Sequence, residues 1–167
     1  MQWNYDELLQ LQDYELISEA RDAVIDEIRN SSCEEDLEII PEIRFYLITS
    51  SIFDMEMQNG GLCQFLVNQG KFHGTMLENA LVAFGAEQHR QMLAEFCLKN
   101  GIDLGNLAEL LPETTDPYRA MENYLQLNEK YPFADFDNAY FALDSECPLE
   151  RILGAYIRKN ITLFFGN

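Results

Sequence analysis

Positive charge is what this sequence has least of. Eleven lysines and arginines stand against 29 aspartates and glutamates, for a net charge of −18. So few cations exclude direct nucleic-acid binding, because phosphates must be neutralised by Lys and Arg. The same field works against attachment to anionic lipid. No apolar run reaches the ~18–20 residues that span a bilayer. The opening residues, MQWNYDELLQ, lack the basic and apolar regions of a signal peptide. Cysteine is scarce: Cys33, Cys63, Cys97 and Cys147 include no CxxC pair. They suit a reducing cytosol as small buried hydrophobes, so the expected location is cytoplasmic. The two histidines, His73 and His89, are not at metal-ligand spacing, and there is no Glu-x-x-His or His-Glu-x-x-His. Asp135, Asp137 and Asp144 lack the glycine and glutamate of a calcium loop. No metal site, no cofactor and no nucleotide cradle is therefore expected.

What remains is a chain of 167 residues, 47% of them hydrophobic, long enough to bury one sizeable core as a single domain, 1–167. Its periodicity is helical. A short helix and a longer one fill residues 1–30. In the longer one Ile17, Ala20, Val24 and Ile28 form one face. From Ile43 to Met57 apolar residues fall on nearly every side, the mark of a central helix. Gly60-Gly61 ends it, and a new helix starts near Leu62. Gly70 and Gly74 are read as flanking a loop. Helices are then expected at 75–84, 87–99, 117–130 (with Asp116 as N-cap and Pro117 in the first turn), 133–144 and from Pro148 to about Asn160. A turn of helix fits 106–111, and 161–165 is read as a short extended tail. The predicted fold is an all-α, single-domain helical bundle of about seven to nine helices.

The acids are unevenly placed. Residues 1–42 carry −11, 43–99 carry −1, 100–147 carry −8 and 148–167 carry +2. A near-neutral middle is flanked by two charged segments. In the first, Glu15, Glu19, Asp22 and Asp26 fall opposite the apolar face, within an arc of roughly 60° at about 100° per residue. Such a stripe attracts basic proteins. It also serves plain solubility, and the sequence leaves both readings open.

The remaining polar concentration is Glu56 to Asn68. Glu56 sits in the last turn of a helix, the unfavourable end of the dipole for a carboxylate. It becomes sensible if it accepts hydrogen bonds from the N–H groups opening the next helix, around Gly61 to Cys63. Gln64 and Asn68 lie four apart on one face, and Asn59 precedes the glycine turn. Two readings follow: a helix–Gly-Gly–helix corner with a satisfied polar network, or a small polar pocket made by Glu56, Asn59, Gln64 and Asn68. Cys63 near a helix start, with His73 ten residues on, is a formal nucleophile and base. A buried inert thiol is the simpler account.

The order Glu56, Asn59, Gly60, Gly61, Gln64, Phe65, Asn68 resembles the signature of the DUF4375 family of bacterial proteins. Ala80-Leu81, Gly85-Ala86, Leu143-Asp144 and Tyr156 to Asn160 resemble its later segments, so the likeness spans about 40–160, beyond the acidic helices of 1–38. Leu62 stands where the family pattern has an aromatic. The family includes a DNA-mimic type, as in Neisseria, an acidic helical dimer whose carboxylates stand in for phosphates. The resemblance thus implies an all-helical, non-enzymatic interaction protein. Its acidic face would bind a basic protein, such as a DNA-binding one, and it would form a homodimer. The alternatives are a small-molecule binder or enzyme using the Glu56 pocket, and an immunity protein that neutralises a basic toxin.

Overall fold

The computed structural model describes residues 3–31, 40–107, 110–111 and 116–166, without the side chain of Pro117. Cys33 and the acidic run 32–38 lie outside the described residues, as do 108 and 109 within the expected 106–111 turn. The helices are α1 (Tyr5–Leu8), α2 (Asp13–Asn30), α3 (Glu42–Phe65), a π-helical turn (Leu66–Gly70), α4 (Lys71–Phe84), α5 (Glu87–Asn100), α6 (Pro117–Lys130), α7 (Phe133–Glu146), α8 (Leu149–Lys159) and α9 (Ile161–Phe165). The architecture is the all-α, single-domain bundle that the periodicity predicts, with no strand among the described residues.

α3 is the axis. It packs against α2, α4, α6, α7 and α8. Leu47, Phe53 and Met57 on it are fully buried, with Thr49, Ser50 and Ser51 between them. Phe53 meets Phe65 edge-on at 5.2 Å and Tyr140 of α7 at 5.7 Å. Pairs of this geometry add about 0.5–1.5 kcal/mol beyond their burial. Gly61 breaks α3 at φ 78° and ψ −172°, so the chain turns a corner there. From Leu62 it runs on through the π-helical turn into α4 without a second break.

Two boundaries differ from expectation. Residues 70–74 are helix, not loop. Their glycines serve packing: a Cβ on Gly74 would sit 2.6 Å from the Leu104 carbonyl oxygen, and one on Gly70 2.6 Å from Leu107 Cδ1. The 102–107 segment presses on the helix where side chains are missing. The stretch 161–165 is the helix α9, not an extended tail. Arg44, buried on α3, holds it there by donating to the carbonyls of Leu163 and Gly166 while pairing with Glu27 of α2. Asp116 caps α6 as expected, accepting from Tyr118 N–H at 2.9 Å.

Candidate functional site

The stripe on α2 divides into two parts. Glu19, Asp22 and Asp26 are exposed. Glu15 is half-buried, and its carboxylate accepts the Gln12 N–H at 3.0 Å and the Tyr14 hydroxyl at 3.2 Å. It is therefore engaged in starting the helix, where a carboxylate satisfies a free N–H and opposes the positive dipole end. Arg21 approaches Asp22 at 3.4 Å, and Arg29 approaches Asp26 at 3.8 Å. These are exposed pairs of small energy, so the face remains acidic.

Glu150, in the first turn of α8, adds to the rise in the proton affinity of Tyr14, which the Glu15 hydrogen bond causes mainly. Glu150 and Asp144 also oppose ionisation of Asp54. The charges of Asp144 and Glu150 thus reach Asp54, and that of Glu150 reaches Tyr14.

In the Glu56–Asn68 region the structure brings three of the four polar residues together. Glu56 is buried and accepts from Gln64 Nε2 at 2.7 Å, from Asn68 Nδ2 at 3.3 and 3.4 Å, and from Gln69 Nε2 at 3.5 Å. Asn59 is exposed and takes no part in this cage. Of the backbone donors expected for Glu56, the Leu62 N–H is used elsewhere, donating to Asp137 Oδ1 of α7 at 2.9 Å. Gly60 leaves room for the Gln64 amide, whose Oε1 would lie 2.1 Å from a Cβ there. Gly61 takes a backbone region open essentially to glycine alone, and a Cβ on it would meet the Asp137 carboxylate at 2.2 Å. Phe65 is fully buried. Glu56 has both oxygens occupied by the chain's own amides, which is the satisfied-corner arrangement.

Gln69 has no place in the sequence reading. It follows Gln64 by five residues, which an α-helix carries about 140° around its axis. The i→i+5 repeat of the π-helical turn brings the two amides to one carboxylate.

A second polar cluster also lay outside that reading. Tyr140 O–H donates to Asp54 Oδ1 at 2.7 Å. Burial is the main reason the Asp54 carboxyl is pushed up to about 6, against the pull of the Tyr140 hydrogen bond. Asp144 accepts from Leu149 N–H at 2.9 Å, capping α8, and from Gln58 Nε2 at 3.1 Å. His89 stands edge-on to Tyr140 at 5.7 Å, buried, and burial keeps it neutral by lowering its pKa. Sequence spacing could not join these groups, since Asp54 and Tyr140 are 86 residues apart.

The formal nucleophile is inert. Burial, with help from Asp137, pushes the Cys63 thiol up to about 12. His73 Nδ1 is engaged instead with Thr49 Oγ1 at 2.9 Å. No group of acids, histidines and cysteines among the described residues could hold a metal ion. No helix among them is long and apolar enough to cross a membrane.

Among known proteins, the family model described as DMP19-like protein matches residues 38–160. Neither the curated proteins nor the solved structures contain a match to the chain.

Proposed function

The chain belongs to the DMP19-like protein family, and from that premise we propose that it is an acidic interaction protein, a DNA mimic occupying a basic DNA-binding protein. The observation that carries this reading is the exposed line Glu19, Asp22, Asp26 on a chain of net charge −18. These three charges cover seven helical steps of about 1.5 Å, hence one per ~5 Å. A DNA strand offers one per ~3.4 Å of axis. α2 alone is sparser than a phosphate strand. Glu150, half-buried in the first turn of α8, adds its charge near Tyr14 at the start of the helix. On this reading the partner's cations meet carboxylates in place of phosphates, with a strong dependence on salt.

The experiment is displacement of labelled DNA from a basic partner captured from the native host, read at low and high salt. The triple variant Glu19→Gln, Asp22→Asn, Asp26→Asn should displace DNA about tenfold less well, at roughly 0.5 kcal/mol per exposed charge pair. The difference should shrink in high salt. Equal displacement by the variant would remove α2 as the contact face. The small-molecule reading draws no support from the Glu56 cage, whose carboxylate is already filled. An immunity protein would use the same face, and a toxin gene next to this one would favour it.

A further inference from the structure

The charges of α2 work against its own helix. Glu15 and Glu19, and again Asp22 and Asp26, stand four residues apart, where like charges repel and weaken a helix. Its own arginines answer them only with the long pairs Arg21–Asp22 at 3.4 Å and Arg29–Asp26 at 3.8 Å. Helices in proteins draw most of their stability from packing, and α2 packs on α3, α8 and α9.

α8 supplies a seat for the start of α2. Glu150, Gly154 and Arg158 follow one another at four-residue spacing, which places them on one face of α8. Asp13, the first residue of α2, sits over Gly154, where a Cβ would lie 2.8 Å from Asp13 Cγ. One turn on, Arg158 donates to the Asp13 carboxylate and, from Nη2, to the Leu11 carbonyl at 2.7 Å. Both members of this ion pair are half-buried. One turn back, the Glu150 charge reaches Tyr14. At the far end of α2, Arg44 of α3 pairs with Glu27. Plain acidity does not call for this arrangement. A cation spent on Asp13 makes the surface less negative, and a glycine inside α8 weakens that helix. Both features make sense as a means of seating α2.

We propose that Gly154 and Arg158 are positioning residues of the acidic face: they seat α2 on α8 and fix where Glu19, Asp22 and Asp26 stand relative to Glu150. This rests on the acidic-face reading above and names the residues that orient that face. Charges held in place by the fold bind better than loose ones, because their ordering cost is incurred on folding and not on binding. Arg44 is a less specific probe, since it also holds α9.

Three variants separate position from charge. Gly154→Ala leaves every charge in place and displaces Asp13. Arg158→Met takes the net charge from −18 to −19, so charge counting predicts stronger competition with DNA. Arg151→Met makes the same change at an exposed position of α8. Each is assayed at a temperature where circular dichroism shows it folded. Amide exchange is followed first, without a partner. Gly154→Ala and Arg158→Met should quicken exchange at residues 16–20 at least about threefold and leave α5 unchanged. Labelled duplex is then displaced from the basic protein captured from the native host. Both variants should displace it about three- to fivefold less well than the parent, Arg158→Met in spite of its added negative charge. Arg151→Met should do at least as well as the parent. Arg158→Lys, which keeps the charge but not the forked donor, should fall between parent and Arg158→Met. Undiminished displacement by either Gly154→Ala or Arg158→Met, with the α2 triple variant still impaired, would overturn the seating and leave the acidic face standing. Unchanged exchange in α2 would overturn it as well. Parental displacement by the triple variant would instead remove the α2 face, and this inference with it.

Discussion

Replacing Asp54 by asparagine removes an ionisation that the fold opposes. The Asp54 carboxyl titrates near 6 in the folded chain against an ordinary value of 3.8. Burial is the largest cause, Asp144 and Glu150 add to it, and the Tyr140 hydrogen bond acts the other way. Because the folded pKa is raised, the folded state binds this proton more tightly than the unfolded one. The group's contribution to stability is therefore complete below about pH 4. It falls as pH rises, and is lost above about pH 6. About two units at 1.36 kcal/mol each amount to roughly 3 kcal/mol. Asparagine keeps an acceptor for the Tyr140 hydroxyl, now 2.7 Å away, and carries no charge. Asp54→Asn should thus match the parent near pH 4 and exceed it by about 2–3 kcal/mol at pH 7, with the gap opening between pH 4 and 6. Urea titrations of both proteins at intervals of pH measure this gap. The other carboxylates cancel in the difference. A gap that does not change with pH, or a variant less stable at pH 7, would refute the account of Asp54. Tyr140→Phe provides a second check, since loss of the hydrogen bond should move the Asp54 midpoint further up.

Three other substitutions test the corner and the clamp. Gly61→Ala forces a side chain into a glycine-only backbone region and against Asp137, so it should cost about 3 kcal/mol or more and lower the melting temperature by roughly 6–12 °C in calorimetry. Glu56→Gln sets an amide donor against the donors of Gln64, Asn68 and Gln69; its urea midpoint should fall by the equivalent of about 1–3 kcal/mol with unchanged slope. A neutral outcome would mean that the cage does not need the carboxylate. Arg44→Met removes the donors for the Leu163 and Gly166 carbonyls, while Glu27, half-exposed, stays solvated. It should cost about 1–3 kcal/mol, and hydrogen exchange should quicken first in α9.

The helices were legible in the sequence because their causes are local. The apolar period of α2, Asp116-Pro117 at the start of α6 and the break at Gly60-Gly61 each act within a few residues. The central place of α3 followed from apolar residues on all its faces, and the acidity of the flanks from counting. What these local signals could not carry was decided by contact between distant segments. Gly70 and Gly74 look like loop punctuation, yet they lie in helix because the 102–107 segment needs their missing side chains. The Leu62 N–H is satisfied from Asp137, 75 residues away, so the donor expected for Glu56 was already taken. Gln69 reaches Glu56 only through a π-helical turn, whose register no α-helical spacing predicts. The pairing of Asp54 with Tyr140, and the approach of Glu150 to Tyr14, depend on how α7 and α8 pack against α3 and α2. Local sequence thus determined that the chain is helical, acidic and hinged at Gly60-Gly61. Only the packed structure decided which carboxylates are spent inside the fold and which stay exposed on its surface. Burial and hydrogen-bond partners are properties of the whole chain's contacts, not of a residue and its neighbours in sequence.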